Sequence, residues 1–362
     1  MLLGDETLPA EEFVRETIAS IPTLDQAWHE RALLRLDSLT KPLGSLGRLE
    51  EIAARIVAIC EQEFPILSSK VIFTLAADHG VTAEGVSAYS REVTRQMVLN
   101  FLSGGAAINV LCRQFGIEIV VVDIAVDGDT SGLEGLVQMK VARGTKNMAL
   151  GPAMTRAETF AALEAGITLA NRAQSEGKNL VGIGEMGIGN TTAASALAAV
   201  ICGKPAREVT GRGAGLDEQG LGHKISVIEQ ALRVNRPNAS DPVDVLSKVG
   251  GFEIAGMAGL VLGAAAQRIP VVIDGFISTA AAAIAAAINP RVTAFLFPSH
   301  QSTEPGHAAL LRFIGLEPFL NLKMRLGEGT GAALAMPLIE ASTKLLKEMA
   351  TFSAAGVSES PR

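Results

Sequence analysis

Five short apolar runs punctuate the chain, at Val71 to Ala77, Ile117 to Val126, Leu180 to Ile183, Ile269 to Phe276 and Val292 to Phe297. Most are nearly continuous rather than alternating, the pattern of strands buried on both faces of a parallel sheet. Between them apolar residues recur at helical spacing. The clearest cases are Trp28 to Leu39, Leu46 to Ile59, Arg91 to Leu102, Gly104-Gly105 to about Gln114, Arg156 to Glu176, and Ala332 to about Ala350. Strands alternating with helices predict right-handed βαβ units and a mostly parallel α/β sheet. Pro42 and Gly44 break the helical pattern at a Lys-Pro-Leu-Gly turn, and Ser45 is placed to cap the next helix. The two helical ends of the chain are expected to pack together as a small second domain, and the last dozen residues to fray.

Polar residues collect where the apolar runs stop, and in open α/β sheets the carboxyl ends of the strands are where ligands bind. The run at 180 to 183 breaks into a glycine-dense turn containing Glu185, after which Asn190, Thr191 and Thr192 open an alanine-rich helix. Glycines let a main chain approach a ligand closely, and the N–H groups of a first helical turn suit a phosphate. GxGxxG occurs at Gly182, Gly184 and Gly187 but no GKS or GKT follows, so a phosphate cradle and a purely structural turn both remain open. A second glycine loop, VTGRGAGLDEQGLGHK, carries Arg212 and Lys224, the latter in the first turns of a helix beginning near Gly220. A lysine is unfavourable there unless an anion lies nearby. A third loop sets Glu328 among Gly327, Gly329 and Gly331, just before an apolar helix. Glu328 is either a helix-capping residue or a partly desolvated carboxylate with its pKa raised toward the range of a general base.

Composition narrows the classes. The 362 residues are 48% hydrophobic, enough for a large core, and only 4% aromatic, with 37 glycines, so close helix packing through small residues is expected. A net charge of −7 argues against nucleic-acid binding. Cys60, Cys112 and Cys202 are odd in number, widely spaced and set in apolar sequence, as reduced thiols of a cytoplasmic protein are. No signal-peptide pattern opens the chain, and the longest hydrophobic stretch contains Asp274, against a membrane span. Asp123, Asp127 and Asp129 lack a calcium-loop glutamate, and the five histidines lack zinc spacing, so no metal is expected. Asp78 and His79 are adjacent and diverge on an extended chain, which favours a structural role at the strand end.

Five separated motifs in fixed order, KPLGSLGRLE (41–50), AADHGV (76–81), GEMGIGNTT (184–192), GRGAGLD (211–217) and RLGEGTGAALAMP (325–337), resemble the nicotinate-nucleotide:dimethylbenzimidazole phosphoribosyltransferases of cobalamin synthesis. The similarity spans nearly the whole chain. It implies a mostly parallel Rossmann-like sheet flanked by helices as the large catalytic domain (69–334), a small helical domain from residues 1–68 and 335–362, and a homodimer. It also implies transfer of ribose 5-phosphate from nicotinate mononucleotide to 5,6-dimethylbenzimidazole with inversion at C1′ and no cofactor. By the same resemblance Glu328 is the base and Glu185 a second carboxylate at the ribose. Gly187, Gly189, Asn190, Thr191, Thr192 and Gly213 hold the phosphate with Lys224 as counter-charge, and Gln96, Ser302 and Leu326 belong to the benzimidazole pocket. Other readings are a paralogue with a different acceptor base, a non-catalytic nucleotide sensor or carrier, and a dinucleotide-dependent oxidoreductase. The last lacks an acid at the usual distance after the glycine turn.

Overall fold

A computed structural model describes residues 9–358. The apolar runs become strands β1 (Lys70–Ala77), β2 (Glu118–Ala125), β4 (Leu180–Met186), β5 (Val271–Ile273) and β6 (Leu296–Pro298), joined by an unanticipated edge strand β3 (Leu136–Gln138). All pair in parallel in the order β3-β2-β1-β4-β5-β6. The chain works outward from β1 on one side and from β4 on the other. The crevice between the carboxyl ends of β1 and β4 is therefore the topological switch point, where doubly wound sheets bind ligands.

Before and between the first strands lie α1 (Pro9–Ser20), α2 (Gln26–Asp37), α3 (Arg48–Cys60), α4 (Val93–Leu102), α5 (Ala107–Phe115) and α6 (Arg156–Ser175). After β4 come α7 (Asn190–Ile201), α8 (Ala206–Val209), α9 (Glu218–Asn235), α10 (Pro242–Val249) and α11 (Phe252–Ala266). The chain closes with α12 (Phe276–Ile288), α13 (Pro305–Ile314), α14 (Thr330–Glu348) and α15 (Phe352–Ala355). Leu75 of β1 meets Gly256 of α11 on one face of the sheet, while Ile72 and Thr74 point to the other face, toward the N-terminal end of α14. All but the last residue or so of α11 is buried, and it crosses α6 so closely that Gly166, Gly256 and Gly259 lie against backbone of the other helix or side chains of the sheet. Small residues permit that contact, as the composition suggests.

Both ends of the chain meet in a second, smaller core of Ala32, Leu36, Leu39, Ala53, Ala54, Val57 and Leu346. Helix α1 packs instead against α6 and α11. The Lys-Pro-Leu-Gly turn is fixed by a buried Lys41–Glu50 ion pair at 2.9 Å.

Element ends depart from the sequence pattern in informative ways. The fourth run, Ile269 to Phe276, supplies only three strand residues, because Phe276 already opens α12; Gly275 is the N-cap, and the Ser278 hydroxyl accepts its N–H from inside the first turn. Of the run from Val292 to Phe297, Val292 to Phe295 lie in a 3-10 turn (Pro290–Phe295) and only Leu296 and Phe297 are strand. Gly47 rather than Ser45 caps α3, and Gly189 rather than Asn190 or a threonine caps α7. The chain end is not uniformly frayed: Leu39 bridges to Thr351 and α15 follows, while 359–362 lie outside the described residues. No helix among the described residues is long and apolar enough to cross a membrane.

Candidate active site

At the switch point a cavity of about 460 Å³ opens, walled by the turn after β4, the loop before α9, the loop after β6 and the loop before α14. Strand β4 does not end before the glycines, as the sequence pattern suggests. Gly182 and Gly184 lie within it, alternate in the strand and so point to one face, and α14 with its leading loop lies across that bare face. A side chain at 184 would collide with the Glu328 carbonyl. Glu185, next along the strand, thus reaches the cavity from a strand rather than a turn.

Glu328 enters from the opposite loop with φ 65°, a left-handed conformation uncommon outside glycine. Thr74 Oγ1 donates to its carbonyl at 2.9 Å, and the Ile108 N–H donates to its Oε2 at 3.3 Å. Burial pushes its pKa above the ordinary carboxylate value, partly countered by that N–H. Glu185 is raised much further, by desolvation first and then by the charges of Asp274, Glu253 and Glu328, against one hydrogen bond from Asn190 Nδ2.

On the same cavity Lys224 is buried in α9, its ammonium donating to Thr191 Oγ1 at 2.7 Å. Desolvation lowers its pKa to about 8, with the Glu304 carboxylate pulling the other way. Glu304 Oε1 in turn accepts the Gly213 N–H at 3.1 Å. Arg325, at the lip, donates to the Gly213 carbonyl at 2.8 Å, so the second and third glycine loops are tied together. The cavity lining therefore combines the cations Lys224 and Arg325 and glycine backbone with the carboxylates Glu185, Glu304 and Glu328, and Val86, Val93, Met97 and Phe276 supply apolar wall. Such a site can hold an anionic group and take a proton.

A family profile described as phosphoribosyltransferase matches residues 21–357. The chain belongs to this phosphoribosyltransferase family. It is 59% identical over 346 residues, 96% of this chain and 98% of the relative, to a protein of Geotalea uraniireducens named nicotinate-nucleotide--dimethylbenzimidazole phosphoribosyltransferase. A protein of the same name from Desulforamulus reducens is 55% identical, covering 95% of this chain and 98% of its own. The crystal structure of CobT from Thermus thermophilus superposes with a TM-score of 0.89 at 47% identity, over 92% of this chain and all of that one.

In this phosphoribosyltransferase, Glu185, Gly187, Gly189, Asn190, Thr191, Gly213, Lys224, Ser302, Leu326 and Glu328 all line the one cavity. Gln96 does not: it is exposed on α4, whose Val93 and Met97, four apart, are the cavity-facing positions. Thr192 does not either, because its N–H is taken by the Gly189 carbonyl and its side chain is fully buried in α7. Asp78 and His79 lie behind the site. Asp78 accepts the Asp127 N–H at 2.7 Å, and His79 Nε2 meets Glu253 Oε1 at 2.8 Å beneath the turn at Gly187 to Gly189. The three aspartates in and after β2 have separate partners: Asp123 pairs with Lys140, Asp127 with Arg91, and Asp129 with its own turn at Ser131. Sequence reasoning missed Glu304 and His300, both on the cavity wall, although each lies in the polar PSHQSTEPGH segment that follows β6.

Proposed function

We propose that the cavity transfers the 5-phosphoribosyl group of nicotinate mononucleotide to 5,6-dimethylbenzimidazole, giving α-ribazole 5′-phosphate and nicotinate. The enzyme class follows from the family, and the relatives' names supply the two substrates. One observation carries the reading for this chain: a buried lysine, glycine backbone and a desolvated carboxylate line a single cavity.

On this reading the phosphate lies by Lys224, Thr191, Gly213 and the backbone from Gly187 to Asn190. Its dianion replaces part of the hydration that Lys224 lost on burial. The ribose then spans toward Glu185, and the acceptor base lies beneath Leu326 and Ser302. One benzimidazole nitrogen attacks C1′ as the C1′–N bond to the pyridinium breaks, and nicotinate leaves with the bonding pair. The ring gains positive charge, and Glu328 takes the proton from its other nitrogen. Entry opposite to the leaving ring inverts C1′. Nicotinate needs no proton to leave, so one base suffices, and alignment of two rings about one ribose supplies a large share of the acceleration.

Residues 1–68 with 335–362 are proposed to act as a small helical domain, supported by the separate core at Leu36, Val57 and Leu346. A homodimer and a cytoplasmic setting belong to the same proposal; burial raises all three thiols above the ordinary cysteine value, which suits unreactive, reduced side chains.

The test is nicotinate release from the mononucleotide by purified protein, with and without 5,6-dimethylbenzimidazole, with chromatography following the nucleotide product. Base-dependent release matched by an α-linked product is expected. Mononucleotide binding without release would reduce the protein to a carrier.

A further inference from the structure

Asp274 follows β5, more than fifty residues before the loop that carries Glu328, and it lies nearly sealed from solvent behind that loop. Its two carboxylate oxygens have divided tasks. Oδ2 accepts the Gly329 N–H at 3.0 Å and Oδ1 accepts the Gly331 N–H at 2.6 Å. These are the residues immediately after Glu328 and in the first turn of α14, where N–H groups have no partner within the helix. A carboxylate there is also favoured by the helix dipole. The grip is specific: Gly331 lies so close to Asp274, Ser299 and His300 that no side chain fits at that position.

Glu328 sits in an uncommon backbone conformation, and such a residue persists only where its surroundings hold it. On its N-terminal side Gly327 is packed against Glu185. Thr74 holds its own carbonyl. The C-terminal side is held by Asp274.

We propose that Asp274 is a positioning residue for the phosphoribosyl transfer, fixing the Glu328 carboxylate by clamping the amides of Gly329 and Gly331. The proposal rests on Glu328 being the base. Asp274 is absent from the cavity wall, so it acts through Glu328 and not on substrate. Asn at 274 keeps the volume but presents N–H groups to one of the two amides, opening half the clamp.

The experiment compares the parent, Asp274→Asn, Glu328→Gln and the double variant by single-turnover nicotinate release, with calorimetry for mononucleotide binding. Expected for Asp274→Asn is a fall in the rate of about tenfold to a hundredfold, with the mononucleotide Kd within about threefold of the parent. In the Glu328→Gln background the same substitution is expected to change the residual rate by less than about twofold, since coupled residues are not additive. A rate within twofold of the parent, an equal fall in both backgrounds, or loss of nucleotide binding alongside rate would each overturn the proposal. Asp274→Ser, which removes the charge and leaves room for water, repeats the cycle should the Asn variant not fold. Failure of both to fold would assign Asp274 to stability alone and overturn it as well. Full turnover by Glu328→Gln would instead remove the base assignment, whatever Asp274→Asn does.

Discussion

At Lys224 two demands conflict: an ammonium costs free energy to bury, yet a phosphate site away from water needs a charge. The compromise is one hydrogen bond to Thr191, a nearby carboxylate on Glu304, and a pKa lowered to about 8. In the free enzyme the charge is therefore present below about pH 8 and lost as pH rises through it. A plot of kcat/KM for the mononucleotide against pH, which reports free-enzyme groups, should fall above about pH 8, and Lys224→Ala should lower the plateau and erase that limb. A limb unchanged in Lys224→Ala would assign it elsewhere. Lys224 drew notice in the sequence as a lysine near a helix start, but α9 begins at Glu218 and places it in the second turn, so its burial and not the helix dipole is what marks it. Asp274 did not stand out, since an acid after a strand resembles the acids after β1 and β2, and what distinguishes it is a pair of amides more than fifty residues away.

Among the elements, β4 joins the sheet to the chemistry. Its apolar half was readable, but its glycine half reads as a turn because glycine disfavours strands. The reason for the glycines lies in α14 and its loop, which no local pattern reveals. Gly184→Ala is expected to push the Glu328 backbone off β4, costing about 1–3 kcal/mol of stability and more than about a hundredfold in turnover. Calorimetric melting and nicotinate release check the two together; full activity with a lowered melting temperature would show that the loop tolerates the shift. Strands β1 and β2 were legible for the opposite reason, since each is a run of apolar residues with both faces covered. Strand β3 was illegible: three residues at an edge, Leu-Val-Gln, carry no pattern of their own. The strand expected at 292–297 begins only at Leu296, because Val292 to Phe295, though mostly apolar, turn in a 3-10 helix.

For the molecule as a whole, the site is a concentration of like charge in a low-dielectric place. Glu185, Asp274 and Glu328 all have folded-state pKa values above their ordinary ones, Asp274 reaching about 7. Groups shifted this way bind more protons folded than unfolded, so their contribution to stability falls as pH rises from the unfolded values near 4 through the raised ones. Glu185→Gln removes one charge while keeping an acceptor for Asn190. Its melting temperature should exceed the parent's by about 2–4 °C at pH 8, the gain from roughly 1 kcal/mol, and the gain should vanish near pH 4.5. An equal shift at both pH values would point to packing instead.

Helix α14 runs from Thr330, two residues after Glu328, past Leu346 in the small core at the chain ends. Nineteen residues at 1.5 Å each span about 28 Å, with Pro337 inside the helix, where it removes one backbone hydrogen bond. Treated as a lever pivoting at its far end, it moves its tip by about 0.5 Å for each degree of tilt, the tolerance within which reacting groups must be held. Leu346→Ala, made at that far end, is therefore expected to lower kcat more than it raises KM for either substrate, alongside about 2–5 kcal/mol of lost stability. Remote substitutions along this helix would tune the reaction through the loop that carries both Leu326 and Glu328.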